Sequence, residues 1–127
     1  MIHTPKQCLT VGGIFGAMAV ACGAFGAHIL RDTLSPGQMQ TFETAARYHL
    51  VHALAIVAAG IVFELWPSRA HLFAARGFAL GTLLFSGSLY TIALGGPRFL
   101  GAITPLGGLC FIVGWLLLAT GGQRQQQ

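Results

Sequence analysis

Eight polar side chains near the ends of apolar segments carry groups that could do chemistry. They are His28, Tyr48, His49, His52, Ser86, Ser88, Tyr90 and Thr104. A neutral imidazole donates one hydrogen bond and accepts another, and it can bind a proton or a metal ion. Hydroxyl groups also both donate and accept. These residue types suit hydrogen bonding to a lipid headgroup or a quinone-like molecule, or the binding of a proton.

Metal binding and catalysis are less well supported by the same residues. His49 and His52 are three positions apart, a spacing that metal sites also use, and His28 with His52 could hold a haem or a metal ion. Neither pair has a carboxylate or thiolate ligand nearby. A nucleophilic Ser86 or Ser88 would need an adjacent base and oxyanion donors, and the chain has only three acidic residues. We predict no catalytic residue and no metal site, the sequence identifies no particular cofactor, and we expect a protein that is not an enzyme.

Each of these polar residues also has a structural interpretation. His28 suits a helix C-terminus, where an imidazole interacts favourably with the helix dipole. Tyr48 and Tyr90 suit an aromatic belt at the membrane interface. Residues 86–88, Ser-Gly-Ser, suit close helix packing with hydrogen bonds to the backbone. The ligand-binding hypothesis has to be weighed against these interpretations.

The segment that must position the first of these side chains is residues 8–28, CLTVGGIFGAMAVACGAFGAH. About 20 apolar residues of helix cross the hydrocarbon core of a bilayer, and this segment is long enough. Hydrophobic residues form 54% of the chain and charged residues only 8%. A soluble protein of this size would have too few charged residues to cover its surface. The sequence therefore predicts an integral membrane protein.

Three further apolar segments follow the first. We predict one domain over residues 1–127, with spans at about 8–28, 48–65, 72–94 and 102–119 and a polar tail at 121–127. A polar, helical segment before the second span is expected at the interface. The fold class is all-α: an integral membrane antiparallel four-helix bundle with a short interfacial helical extension before the second span.

Small residues predict where the helices pack closely. Gly12, Gly16 and Gly23 belong to a smooth stripe on the first helix, and Gly77 and Gly81 form a GxxxG pair on the third. The three cysteines form no zinc-site spacing and are predicted to be small buried residues.

Charge excludes one class of partner and indicates an orientation. The seven Lys and Arg residues are scattered singly, which argues against nucleic-acid binding. An even number of spans places both termini on one side, where Lys6, Arg69, Arg76 and Arg124 would lie. The other side would carry Arg31, Arg47 and Arg98, so the positive-inside rule favours cytoplasmic termini.

Antiparallel spans bring the polar residues to one half of the membrane. The ends that carry them share the side opposite the termini, whereas the other half is nearly all aliphatic, Phe and Gly, with Trp115 toward one end. Polar side chains at membrane depth usually face the bundle interior. We therefore predict a polar nest formed by His28, Tyr48, His52, Ser86, Ser88, Tyr90 and Thr104.

Four sequence motifs carry a family resemblance. They are GAFGAH (residues 23–28), Tyr-x-x-x-His (Tyr48 and His52), LFSGSLY (residues 84–90) and TPLGG followed by GW (residues 104–108 and 114–115). In this order they resemble the YgdD-like family of small bacterial inner-membrane proteins, a domain of unknown function that is similar to eukaryotic transmembrane protein 256. The resemblance implies a four-helix protein of the bacterial inner membrane, with no assigned reaction, cofactor or substrate. His49 stands where we expect Gln in many members of the family, so only His28, Tyr48 and His52 are carried over as shared residues.

Two functional hypotheses of different classes follow. In the first, a non-enzymatic membrane protein binds a small ligand or lipid headgroup in the polar nest. In the second, an accessory subunit or homo-oligomer, as part of a larger membrane complex, packs through the Gly-rich helix faces. In both, the lipid bilayer is the main partner.

Overall fold

The computed structural model describes residues 2–122, which fold into four long helices. They are α1 (Pro5–His28), α2 (Pro36–Leu65), α3 (Arg69–Ala93) and α4 (Thr104–Thr120). Short 3-10 turns, Leu30–Asp32 and Arg98–Ala102, precede α2 and α4. All four helical segments are long and apolar enough to cross a membrane. The predicted all-α membrane helical bundle is confirmed; most of the predicted polar tail, residues 123–127 with Arg124, lies outside the described residues.

Three of the four helices, α1, α2 and α3, begin where a side chain accepts a hydrogen bond from an amide group of the first turn. Thr4 and Gln7 form a capping box at the start of α1, and Ser35 and Gln38 form another at the start of α2. Ser68 caps α3 by accepting a hydrogen bond from the amide of Ala70. These caps matter in a membrane protein because free backbone donors are costly near hydrocarbon.

The second helix is longer than a bilayer requires. Its 30 residues span roughly 45 Å at the usual rise per residue, against about 30 Å of hydrocarbon. Its polar N-terminal part, PGQMQTFETAAR, is continuous with the apolar part. The interfacial extension is therefore a rigid prolongation of α2 and not a separate helix.

The two central helices are flanked by the two terminal ones. Each helix packs mainly against its neighbour in the chain, and α1 touches α3 only slightly. In the apolar segments of α2 and α3, 39% of residues are buried, against 17% in those of α1 and α4. The bundle is therefore a central α2–α3 pair with α1 and α4 on its flanks, both exposing most of their surface to lipid.

Glycines allow the closest helix contacts. A Cβ on Gly12 would lie 2.9 Å from the carbonyl oxygen of Ala53, so α1 approaches the backbone of α2 there. Gly77 and Gly81 lie against α4, where added Cβ atoms would sit 3.1 Å from the carbonyl oxygen of Cys110 and 3.0 Å from that of Gly107. Gly16 and Gly23, in contrast, have open space where a Cβ would point. These two glycines lie beside the face of α1 that packs on α2 but make no close helix contact themselves.

Gly107 and Gly108 provide a matched test of the α3–α4 contact. A Cβ at Gly107 would lie 2.5 Å from the backbone nitrogen of Phe85 and 2.9 Å from the carbonyl oxygen of Gly81. Because backbone atoms cannot move aside, Gly107→Ala should lower the free energy of unfolding by about 1–3 kcal/mol. The measurement is unfolding in mixed micelles with increasing dodecyl sulfate, followed by circular dichroism.

Gly108→Ala is the control for that substitution. The added methyl would meet only the ring of Phe85, at 3.9 Å. Both glycines lie within α4, so replacing either one by alanine raises helix propensity by the same amount. Equal stability of the two variants would show that α3 and α4 do not approach closely at Gly107.

Candidate functional site

The polar residues of the non-terminal half form two clusters, one on each side of the α2–α3 pair. The cluster facing α4, here called the α4-side cluster, contains Tyr48, His52, Ser88, Thr104 and Trp115. The cluster facing α1, the α1-side cluster, contains His49, Ser86 and Tyr90. The structure thus separates residues that the sequence grouped in one nest.

His52 is held by hydrogen bonds from both of its ring nitrogens. Its Nδ1 lies 2.7 Å from the carbonyl oxygen of Tyr48, which can only accept, so Nδ1 carries the proton. Its Nε2 accepts a hydrogen bond of 3.2 Å from the indole Nε1 of Trp115. His52 is 4% exposed and stacks on Phe111, with ring centroids 3.4 Å apart. Because both ring nitrogens of His52 already make hydrogen bonds, neither is free to bind a metal ion or a haem iron in this geometry.

The rest of the α4-side cluster is also satisfied internally. Ser88 donates to the carbonyl oxygen of Phe85 at 2.9 Å and shares a hydrogen bond of 2.7 Å with the hydroxyl of Thr104. The ring of Tyr48 packs on those of Phe85 and Phe111. This cluster therefore joins α2, α3 and α4 without leaving a buried polar group free for a ligand.

The α1-side cluster is built differently. His49 is 5% exposed, and its Nδ1 lies 3.3 Å from the hydroxyl of Tyr90. The edge of its ring meets Phe15 of α1. Its Nε2 makes no hydrogen bond within residues 2–122. One nitrogen of a buried imidazole is thus still available.

Ser86 supplies a second polar group without a partner. The side chain is 1% exposed, and its Oγ makes no hydrogen bond to any described residue. It lines a cavity of about 150 Å³ between α1, α2 and α3. The other lining residues are Phe15, Met18, Cys22, His49, Thr82, Leu83, Gly87 and Tyr90. The cavity therefore combines apolar walls with a few neutral polar groups, the usual composition of a small-molecule site.

His28 belongs to neither cluster. Its side chain is exposed at the last residue of α1, and it makes no hydrogen bond or ring contact within residues 2–122. The structure thus places His28 at a helix C-terminus, away from His52.

Two residues of these clusters were not among the predicted site residues. The family resemblance does not carry His49 over, although Phe42, His49, Ala53 and Ile56 recur at the spacing of one buried helix face. The sequence pattern places Trp115 in the aliphatic half of the bundle. The signal that could have found it is its indole N–H, which needs an acceptor in a membrane span.

Comparison with known proteins gives a consistent classification. A family model described as "Protein of unknown function (DUF423)" matches residues 22–108. The chain is similar to a UPF0382 membrane protein of Staphylococcus saprophyticus, with 41% identity over 116 residues, covering 91% of the chain and 96% of the relative. It is also similar to the UPF0382 inner membrane protein YgdD of Escherichia coli K12, with 38% identity over 121 residues, covering 95% and 92%. No solved structure matches significantly.

Ser86 and Ser88 allow the two clusters to be tested with the same substitution. Ser88→Ala removes hydrogen bonds to Phe85 and Thr104 and should lower the free energy of unfolding by about 1 kcal/mol. Ser86→Ala removes a hydroxyl that has no partner, so stability should be unchanged or slightly raised. Both are measured on delipidated protein in detergent. Equal destabilisation by the two variants would mean that Ser86 is hydrogen-bonded in the folded protein.

Proposed function

This chain belongs to the DUF423 family of membrane proteins, and we propose that it binds a neutral, lipid-soluble molecule in the α1-side cavity, without catalysing a reaction on it. The ligand has a ring-sized head with hydrogen-bonding oxygen atoms, as a quinone has. The observation that carries the proposal is the buried, unpartnered hydroxyl of Ser86 beside His49 and Tyr90.

The size and polarity of the cavity support this ligand class. A protein cavity of about 150 Å³ can hold a benzene-sized molecule, and the α1-side cavity has about that volume. Its available polar groups are the hydroxyl of Ser86 and Nε2 of His49, with the hydroxyl of Tyr90 adjoining. These groups are uncharged donors and acceptors, which suit a carbonyl or hydroxyl oxygen.

The location of the cavity supports entry from the bilayer. It lies between α1 and α3, two helices that touch each other only slightly. The outer faces of both helices carry exposed apolar residues such as Met18 and Leu83. A lipid-soluble molecule could therefore reach the cavity sideways, without passing through water.

The geometry of Ser86 supports binding over catalysis. A nucleophilic serine needs a base within hydrogen-bond reach. His49 instead shares its hydrogen bond with Tyr90, and Ser86 has no hydrogen-bond partner among the described residues. The hydroxyl is therefore free to bond a ligand but is not activated by the neighbouring imidazole.

The binding proposal is tested with a photoreactive benzoquinone that carries an azido group and a ten-carbon tail. We expect labelling of peptides from residues 15–22 and 82–90, which contain most of the cavity wall. Ser86→Ala should weaken binding by roughly 5- to 10-fold, the effect of one lost hydrogen bond. Gly87→Leu, which places a side chain beside the cavity, should abolish labelling.

Gly13→Leu is the matched control for Gly87→Leu. Both glycines have open space where a Cβ would point, but Gly13 does not line the cavity. Its variant should be labelled like the unaltered protein. Labelling that is spread over all helices, or that survives Gly87→Leu, would refute the quinone-like site.

A homo-oligomer is the second candidate. The observation that favours it is the open space beside Gly16 and Gly23 on α1, which another helix could approach closely. If this candidate is right, native mass spectrometry should detect a dimer at twice the monomer mass of 13.4 kDa. The dimer should be absent from the Gly16→Leu variant. A monomer with bound quinone would instead support the cavity proposal.

We further propose that the chain lies in the inner membrane with both termini in the cytoplasm. The Escherichia coli relative is named an inner membrane protein, which supports a location in the inner membrane. The excess of Lys and Arg residues on the side of the termini supports a cytoplasmic position of both termini. Lys6, Arg69 and Arg76 lie at that end of the helices, opposite Arg31, Arg47 and Arg98; Arg124 would add a fourth cation there.

Reporter fusions test this orientation. A fluorescent protein that matures only in the cytoplasm should be bright when fused after Gln127, and alkaline phosphatase fused there should be inactive. The reverse pattern should appear for fusions between α1 and α2. Active phosphatase at the C-terminus would reverse the proposed orientation.

A further inference from the structure

A second, larger recess lies at the opposite end of the α1–α3 seam. This groove, here called the Arg76 groove, has a volume of about 530 Å³. Ile2, Gln7, Val11, Arg76, Ala79 and Leu80 line it. It shares no lining residue with the α1-side cavity and lies on the side of the termini. It is therefore a separate feature of the bundle.

The contacts of Arg76 leave its charge without a counterion. Its Nε donates to the carbonyl oxygen of Ile2 at 2.6 Å, and its Nη2 lies 3.0 Å from Nδ1 of His3. The guanidinium also lies over the ring of Phe73, 4.9 Å from the centroid. Within residues 2–122 it has no ion pair, and its Nη1 has no hydrogen-bond partner.

The depth of Arg76 makes the missing counterion significant. It is seven residues into α3, roughly 10 Å along the helix axis. An arginine near hydrocarbon is costly unless it pairs or reaches the interface. An anion that enters the groove from the lipid phase would provide the pair.

The mainly apolar lining of the groove indicates that the anion also carries an apolar chain. Beyond Arg76, the lining is formed mainly by the apolar side chains of Ile2, Val11, Ala79 and Leu80. Gln7 stands beside the cation; its Oε1 already accepts from the amides of His3 and Thr4, and its Nε2 amide makes no hydrogen bond in the described structure. The groove thus presents a cation and an amide donor at one end and an acyl-chain surface at the other.

We propose that the Arg76 groove binds one anionic phospholipid. The phosphate is held by Nη1 of Arg76 and the amide of Gln7, and one acyl chain lies against Val11, Ala79 and Leu80. Arginine suits this role because its charge is permanent and its planar fork matches phosphate oxygens. Because Arg76 also holds the carbonyl oxygen of Ile2, the bound lipid would fasten the N-terminal residues to α3.

The test compares lipids that differ only in headgroup charge. The purified full chain in detergent is titrated with dioleoyl phosphatidylglycerol or dioleoyl phosphatidylcholine, and native mass spectrometry counts the bound lipids. We expect one phosphatidylglycerol to bind at least tenfold more tightly than phosphatidylcholine. Inorganic phosphate should not displace it, since the acyl chain is part of the site. Displacement by phosphate would assign the site to a free anion and overturn the lipid proposal.

Three substitutions locate the site. Arg76→Gln should remove the preference for phosphatidylglycerol, whereas Arg69→Gln should retain it, because Arg69 is an exposed cation at the start of the same helix outside the groove. Arg76→Gln could also loosen the N-terminal residues, so Ala79→Trp provides an independent variant. It keeps Arg76 and its contacts but fills the chain-binding surface, and binding should fall at least tenfold.

Two further results would also overturn the proposal. One is equal binding of the two lipids by the unaltered protein. The other is an Arg69→Gln variant that loses as much phosphatidylglycerol as Arg76→Gln, since the effect would then come from general surface charge. Circular dichroism of each variant confirms that the helices are intact before binding is measured.

Discussion

The central constraint on this bundle is that hydrocarbon offers no water to a polar group. Each donor or acceptor at membrane depth must pair within the protein or with a molecule that arrives from the membrane. His52 and Ser88 meet this requirement inside the bundle, and Thr82 does so by donating to the carbonyl oxygen of Phe78. Ser86 and Arg76 do not meet it fully. Ser86 and Arg76 line the two recesses of the α1–α3 seam, where an external molecule could supply the missing partner. His71 of α3 is also buried with neither ring nitrogen hydrogen-bonded to a described residue, but it lines neither recess.

Sequence reasoning could predict how deep these residues lie but not which way they point. Antiparallel spans are predicted to place Ser86, Ser88 and His52 in the same half of the membrane. A helix turns about 100° per residue, so Ser86 and Ser88 project to opposite sides of α3. With α1 and α4 flanking the central pair, opposite sides mean different neighbours. Residues that lie at a similar depth along the helices therefore form two separate clusters, one on the α1 side and one on the α4 side of the central pair.

The same limit applies to the close helix contacts. The capping residues Thr4 and Ser35 were predictable because they act locally, within three residues of their partners. Gly12 meets α2 closely, whereas Gly16, one turn later on α1, faces open space. The two differ by only about 40° around the helix, so the exact direction in which α1 packs on α2 decides between them. Trp115 and His52 are 63 residues apart, so no local pattern could pair them.

The two recesses of the α1–α3 seam differ in charge, and this difference should sort the molecules that they bind. A phosphate in the α1-side cavity would lose its hydration and gain only neutral partners such as Ser86 and His49, which is unfavourable in a medium of low polarity. A neutral quinone head in the Arg76 groove would leave the guanidinium without a counterion. Each site therefore disfavours the ligand of the other, although both open between the same two helices. Because Arg76 is charged in all conditions and the polar groups of the cavity are neutral, this selectivity follows from the residue types themselves.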